Sequence, residues 1–232
     1  MAQQQEMTLL EHLVELRDRL VKAAIALGVT TLFSLIFARR VLQLLIAPMG
    51  ENQPVALHPT ESIIIYFKVA LILGVVLAMP IIVYQFIRFA VPGLTPQEKR
   101  YLYVIIPGAS VSFALGVAFA GLVMLPFSIK YLQGFMSDLI KPTYSIDRYI
   151  SFVTAVLFWV GLSFETPLII FFLAKMGVVN VQFLTRGRKY AIVIIAVLAA
   201  IITPTPDPFN MLIVMAPLLL LYELGVLLAR LA

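Results

Sequence analysis

The hydrophobic pattern divides the chain into long apolar segments separated by short charged ones. Uncharged runs of 15 to 29 residues recur between residue 23 and residue 222, and a helix that crosses a membrane needs about 20 mostly apolar residues. The pattern predicts an all-α polytopic membrane protein in which six transmembrane helices form one domain, 1–232. We expect the spans near 20–38, 63–87, 101–126, 149–175, 190–203 and 208–228.

Prolines and span lengths add detail to this bundle. Pro80, Pro107 and Pro126 indicate kinks or helix ends, which favours a concave bundle over straight rods. The last two predicted spans look short for a hydrocarbon layer about 30 Å thick, so the membrane must thin there or neighbouring helices must shield them.

Composition excludes a soluble protein. Hydrophobic residues make up 62% of the chain and charged residues 12%, whereas soluble domains carry about 25% charged residues. Lipid is therefore the expected surroundings. No cysteine is present, and the two histidines are predicted on opposite sides of the membrane, so we expect no disulfide, no metal site, no cofactor and no enzymatic centre.

The basic residues predict the orientation of the bundle. With the N-terminus inside, eleven Lys and Arg residues fall on the cytoplasmic side and five on the other. This bias favours both termini in the cytoplasm. The net charge of +5 is then a topology signal, and it gives no case for a nucleic-acid partner.

The first nineteen residues predict a cytoplasmic amphipathic helix. Thr8 and Glu11 have the spacing of a capping box, and leucines follow at helical intervals. Two local ion pairs are expected, Glu15 with Arg19 and Asp18 with Lys22. Local pairing is the simpler interpretation of these charges, and a functional acidic patch stays open as the alternative.

Three other charged residues have structural explanations. Glu98 follows Thr95 at capping-box spacing, so it caps the third span, and a recognition role would be added to that. Asp207 precedes a proline and is expected to cap the last helix. Lys68 lies near the outer end of the second span, where its ammonium can reach the interface.

Glu165 is harder to explain by structure alone. It lies well inside the fourth predicted span, where a carboxylate costs at least about 2.5 kcal/mol. Pro167 removes the donor for the Ser163 carbonyl, so a kink or polar opening is expected. A role in binding or transport is favoured, and a neutral Glu165 satisfied by Ser163 or a neighbouring helix is the alternative.

Several segments together resemble the TatC family, and they run in the family's order across nearly the whole chain. They are EHLVELR at 11–17, AP at 47–48, PIIVYQF at 80–86, EKR at 98–100, SFETP at 163–167, PD at 206–207 and LYE at 221–223.

The resemblance implies the receptor subunit of the twin-arginine translocase, located in the cell inner membrane. Such a subunit binds twin-arginine signal peptides at the cytoplasmic face. With the single-span partners TatA and TatB, in a larger complex that contains several copies of the receptor, it moves folded proteins by the proton-motive force. No hydrolytic chemistry is implied.

Matching positions assign residues to these roles. The signal-peptide site would contain Glu15, Arg17, Phe89, Leu94, Glu98 and Arg100, with Glu15 and Glu98 accepting the arginines. Transport or partner contacts would involve Pro48, Glu165, Asp207 and Met211. The family often has glutamine where this chain has Met211, so a polar contact there is in doubt.

Two other functions fit the residues less well. A small-solute secondary transporter with an intramembrane carboxylate would predict internal repeats, and none is convincing. An intramembrane enzyme would need a nucleophile and base, or metal ligands, within the bundle.

Overall fold

The computed structural model describes residues 9–90, 96–135, 139, 143–203 and 207–231, without the side chains of residues 9, 90 and 96–104. Helices dominate these ranges, as the apolar pattern predicts. They are α1 (Leu9–Ile46), α2 (Glu61–Ala90), α3 (Pro96–Phe119), α4 (Leu125–Gly134), α5 (Ile146–Ser163), α6 (Thr166–Lys175), α7 (Val181–Arg186), α8 (Arg188–Ile202) and α9 (Pro208–Ala229). We call the side of the bundle on which α1 begins the N side, and the opposite side the far side.

Helix α1 is much longer than a bilayer requires. Its 38 residues extend about 57 Å at 1.5 Å per residue, nearly twice the thickness of the hydrocarbon layer. The amphipathic segment and the first span are therefore one continuous helix from Leu9 onwards. Only 11% of the residues in the most apolar part of α1 are buried, against 39% in the corresponding part of α2. Helix α1 therefore lies at the edge of the bundle, along α2.

Within the described residues, five helical segments are long and apolar enough to cross a membrane. The fifth predicted span, 190–203, is the remaining one: it corresponds to α8, which has 15 residues and extends about 22 Å. An ion pair on the N side joins α8 to α9, with 2.7 Å between Arg188 Nη2 and Glu223 Oε2.

Two of the spanning segments are interrupted. A π-helical turn, Ala120–Met124, joins α3 to α4. A two-residue break separates α5 from α6, and Pro167 lies in the first turn of α6. The break is the interruption that the position of Pro167 predicts.

The main core surrounds α5 and includes side chains of α1, α2, α4, α8 and α9. Among its members, Val69 of α2 and Ile150 and Val153 of α5 are fully buried. Two glycines let α3 approach α5, because a Cβ on Gly116 would lie 2.8 Å from the Cα of Gly161. Close helix approach through small residues is typical of membrane bundles.

Helices α1 and α2 also meet at a glycine. The Thr30 hydroxyl donates a hydrogen bond to the Gly74 carbonyl at 2.8 Å. A Cβ on Gly74 would lie 2.8 Å from the Thr31 Cα and 2.9 Å from the Thr31 nitrogen. Backbone atoms cannot move aside as a side chain can, so this position admits only glycine without separating the helices.

We expect Gly74→Ala to destabilise the protein by about 1–3 kcal/mol, the usual cost of overpacking. Thermal unfolding of purified protein in detergent measures the effect. Gly28→Ala in α1 is the matched control, since a Cβ there meets nothing within 4 Å. Equal stability of the two variants would contradict the close contact.

Candidate functional site

The N-side ends of α1 and α2 are joined by a polar network. Arg19 Nη2 lies 2.9 Å from Glu15 Oε1, which confirms the pair predicted from spacing. The same guanidinium donates to Gln85 Oε1 on α2 at 3.2 Å. The Arg19 and Glu15 side chains are only 16% and 19% exposed, so the network is a mostly buried link between the helices.

One oxygen of this network lacks a partner. Glu15 Oε2 is buried and accepts no hydrogen bond from the described residues. Buried carboxylate oxygens are normally hydrogen-bonded, because desolvation without compensation is costly. Because Oε2 has no such partner, Glu15 is suited to accept a hydrogen bond from a further cationic donor.

An aromatic pair lies next to the network. The rings of His12 and Phe89 stack at 4.6 Å between centroids. His12 precedes Glu15 by three residues and Phe89 follows Gln85 by four, so each ring shares a helix face with the polar network.

The structure brings some of the predicted signal-peptide residues together and leaves others apart. Glu15 and Phe89 belong to the N-side cluster, whereas Arg17 lies on another face of α1, 70% exposed and 2.9 Å from Asp18. The predicted Asp18–Lys22 pair is therefore wrong, because Asp18 pairs with its exposed neighbour Arg17.

Three predicted residues cannot be compared with this cluster. Leu94 lies outside the described residues, as do the side chains of Glu98 and Arg100 in the first turns of α3. The capping box that begins at Thr95 falls outside them too, and so does Thr8 of the first one.

Sequence reasoning predicted the pairing of Arg19 with Glu15 but missed His12 and Gln85 as members of the N-side cluster. His12 could have been found, because it lies three residues before Glu15. Gln85 carried no such signal, since its contact joins residues 66 positions apart.

Pro48 lies in a compact far-side turn. It is the middle residue of a 3₁₀ helix, Ala47–Met49, that follows α1. The carbonyl of the buried Met49 accepts a hydrogen bond from Gln133 of α4 at 3.1 Å, and the Tyr149 hydroxyl of α5 donates to the Leu45 carbonyl at 2.6 Å. These bonds fix the end of α1, and the turn that contains Pro48, against α4 and α5.

Glu165 lies in the break between α5 and α6. It is 4% exposed, and its Oε1 accepts no hydrogen bond from the described residues. The Ser163 hydroxyl donates to the Trp159 carbonyl at 2.7 Å, and it is therefore not the donor that the structural alternative required. Ser112 of α3 donates to the Phe164 carbonyl at 2.7 Å, which satisfies backbone left unpaired by the break.

Asp207 caps α9, as its position before Pro208 predicts. Its Oδ1 accepts from the Asn210 nitrogen at 2.8 Å, and its Oδ2 accepts from the Asn210 amide at 2.9 Å. Met211 is half-buried and packs against the main core, so its side chain faces this chain's own helices.

The prediction that Lys68 extends its ammonium to the membrane interface is wrong. Its ammonium does not extend alone towards the interface but lies 2.6 Å from Asp147 Oδ1 on α5, with the Ser151 hydroxyl at 2.8 Å. Both side chains are about one third exposed, at 35% and 38%. The pair joins α2 to α5 on the far side.

The described residues contain no group of three or more His, Cys, Asp and Glu side chains that could hold a metal ion.

Comparison with known proteins gives the family. The model of the family described as TatC, Sec-independent protein translocase protein, matches residues 11–217. A Sec-independent protein translocase protein TatC from Aquifex aeolicus is 39% identical, over 97% of this chain and 96% of its own. A TatC from Desulforapulum autotrophicum is also 39% identical, over 95% and 83%.

Plant and structural relatives agree with these matches. A chloroplastic TATC from Pisum sativum is 34% identical, over 98% of this chain and 65% of its own. A crystal structure of the twin-arginine translocase receptor TatC has a TM-score of 0.84 and 39% identity, covering 95% of this chain and 99% of that one. These matches give the small-solute transporter no support.

The Lys68–Asp147 pair generates a prediction about stability. Asp147→Asn leaves an unpaired ammonium near the membrane, and we expect a loss of about 1–2 kcal/mol, less than for a fully buried pair. Thermal unfolding in detergent of both single variants and of Lys68→Met/Asp147→Asn measures the coupling. The double variant should lose less than the two single losses added. Arg148→Gln, on the exposed neighbour, is the control, and strict additivity would argue against the pair.

Proposed function

The chain belongs to the TatC family of Sec-independent protein translocase proteins, and we propose that its N-side cluster is the binding site for twin-arginine signal peptides. The observation that carries the proposal is the buried Glu15 carboxylate, one oxygen of which lacks a donor. Phe89 and His12 beside it offer flat surfaces to the apolar stem and the guanidinium plane of an arginine.

Two arginines need more than one acceptor, and Glu98 is the proposed second one. It lies in the first turn of α3, which follows α2 on the same side of the bundle. A carboxylate matches the guanidinium fork with two parallel charge-assisted hydrogen bonds, whereas lysine offers a single point charge. Arg17, Leu94 and Arg100 complete the proposed site around the peptide.

The orientation of the protein follows from this proposal. It is a multi-pass membrane protein, and we place it in the cell inner membrane with both termini and the N side in the cytoplasm. The eleven-to-five distribution of basic residues supports this arrangement. Signal peptides of folded precursors would then meet the N-side cluster before any part of them crosses the membrane.

Transport would follow in a complex with other subunits. TatA and TatB are the proposed single-span partners, several copies of this chain would assemble with them, and the proton-motive force would supply the energy. Glu165 is the proposed polar contact at bilayer depth. Asp207, Met211 and Pro48 would hold the far-side helix ends against which a partner helix or the cargo packs.

We expect Glu15→Gln and Glu98→Gln to weaken signal-peptide binding while both variants stay folded. Glu15→Gln also removes the charge that pairs with Arg19, so its thermal stability should fall somewhat, whereas that of Glu98→Gln should hardly change. Glutamine keeps the size of the side chain and can still cap a helix, but it loses the charge that attracts guanidinium. Affinity for a synthetic twin-arginine peptide in detergent should fall by about 1.5–3 kcal/mol for each charged hydrogen bond lost.

The preference for twin-arginine over twin-lysine peptide should shrink with that affinity. Glu51→Gln, which neutralises an exposed far-side carboxylate, is the matched control and should bind as the unmodified chain does. Unaltered peptide binding together with a clear loss of stability would mean that these glutamates have structural roles only.

We expect Glu165→Gln to impair transport while leaving signal-peptide binding near normal. The substitution keeps a polar side chain of similar size in the break but removes its ability to ionise. Transport of a twin-arginine precursor into membrane vesicles, measured beside peptide affinity, separates the two steps. Transport at full rate would show that Glu165 has a structural role only.

A further inference from the structure

The Arg19 guanidinium donates to only one of the two carboxylate oxygens of Glu15. Its Nε and Nη2 both donate to the same oxygen, Glu15 Oε1, at 3.3 and 2.9 Å. Its Nη1 donates to Gln85 Oε1 at 3.2 Å. A bidentate pair between a guanidinium and a carboxylate would engage both carboxylate oxygens. Here Arg19 holds Oε1 of Glu15 and makes no hydrogen bond to Oε2.

The anchoring has a geometric consequence for Glu15. A carboxylate is planar and rigid, so holding Oε1 restricts the direction in which Oε2 points. Gln85 in turn fixes the guanidinium against α2, because its amide oxygen takes the donor that Glu15 does not use. The result is a buried acceptor oxygen, Oε2, held in place before any ligand arrives.

We infer that Arg19 is a positioning residue for the twin-arginine site: with Gln85 it holds Glu15 by Oε1 so that Oε2 receives a signal-peptide guanidinium. This inference rests on the proposed function. The bound carboxylate then lies between two guanidinium groups, one from α1 and one from the peptide. The opposite role, in which Arg19 competes with the peptide for Glu15, would predict that Arg19 engages both oxygens.

Preorganisation explains why an internal arginine assists the binding of another one. A glutamate side chain free to rotate would lose conformational freedom on binding, and that loss would weaken the affinity. In this chain Arg19 has already restricted that freedom. The repulsion between the two guanidinium groups is offset because each binds a different oxygen of the same negative charge.

The test is a double-mutant cycle on the full chain in detergent, read out with labelled twin-arginine and twin-lysine peptides. Arg19→Gln should lower twin-arginine affinity about tenfold, with a smaller change for twin-lysine peptide. Arg19→Lys should restore part of the loss, since one ammonium cannot reproduce the fork that contacts Glu15 and Gln85. In a Glu15→Gln background, Arg19→Gln should cost almost nothing further, because Arg19 acts through Glu15.

Lys22→Gln is the matched control, because it removes an exposed cation from the same helix outside the network. Its affinity should equal that of the unmodified chain, and thermal unfolding should show all variants folded. Tighter binding by Arg19→Gln would establish competition and overturn the inference. Losses that add in the Glu15→Gln background, or that follow a loss of stability, would overturn it as well.

The proposed function and the role of Arg19 predict different negative results. If the unmodified chain shows no preference for twin-arginine peptide, the proposed function fails and Arg19 has no such site to position. If the preference is present and Arg19→Gln leaves it unchanged, only the role of Arg19 is overturned.

Discussion

Hydrocarbon offers no partner to a polar group, and this constraint determines where the chain keeps its polar side chains. Several hydroxyl groups inside the helices donate to carbonyls, as Ser34 does to Thr30 at 2.7 Å and Thr154 does to Ile150 at 2.7 Å. Some charges pair near the helix ends, as Lys68 does with Asp147. Polar atoms that remain buried without a partner therefore require an explanation other than folding.

Two carboxylate oxygens meet that description, Oε1 of Glu165 and Oε2 of Glu15. They belong to different parts of the molecule: Glu15 lies in the N-side network in which Arg19 joins α1 to α2, and Glu165 lies in the break between α5 and α6. Under the proposed function, the oxygen of Glu15 would receive the incoming peptide and that of Glu165 would make a polar contact at membrane depth.

The sequence predicted what depends on short spacing. Apolar runs indicated the helical membrane fold, the four-residue interval gave the Glu15–Arg19 pair, and the residue before Pro208 gave the cap of α9. Contacts between residues far apart in the sequence could not be predicted. The pairing of Lys68 with Asp147, for example, spans 79 positions and depends on how α2 packs against α5. Asp18 shows that spacing alone can also fail to predict a local ion pair, since an exposed carboxylate can pair with any of several nearby cations at similar energy.

The position of Glu165 depends on glycines that carry no chemistry themselves. Gly116 and Gly161 allow α3 to approach α5 at van der Waals distance, so Ser112 can reach the Phe164 carbonyl in the break. Without that donor the broken backbone would itself need water at bilayer depth, at a cost of several kcal/mol for each unsatisfied group. Because Ser112 satisfies the backbone, the break can persist, and Glu165 stays in it as a polar group that this chain does not need for its own helix.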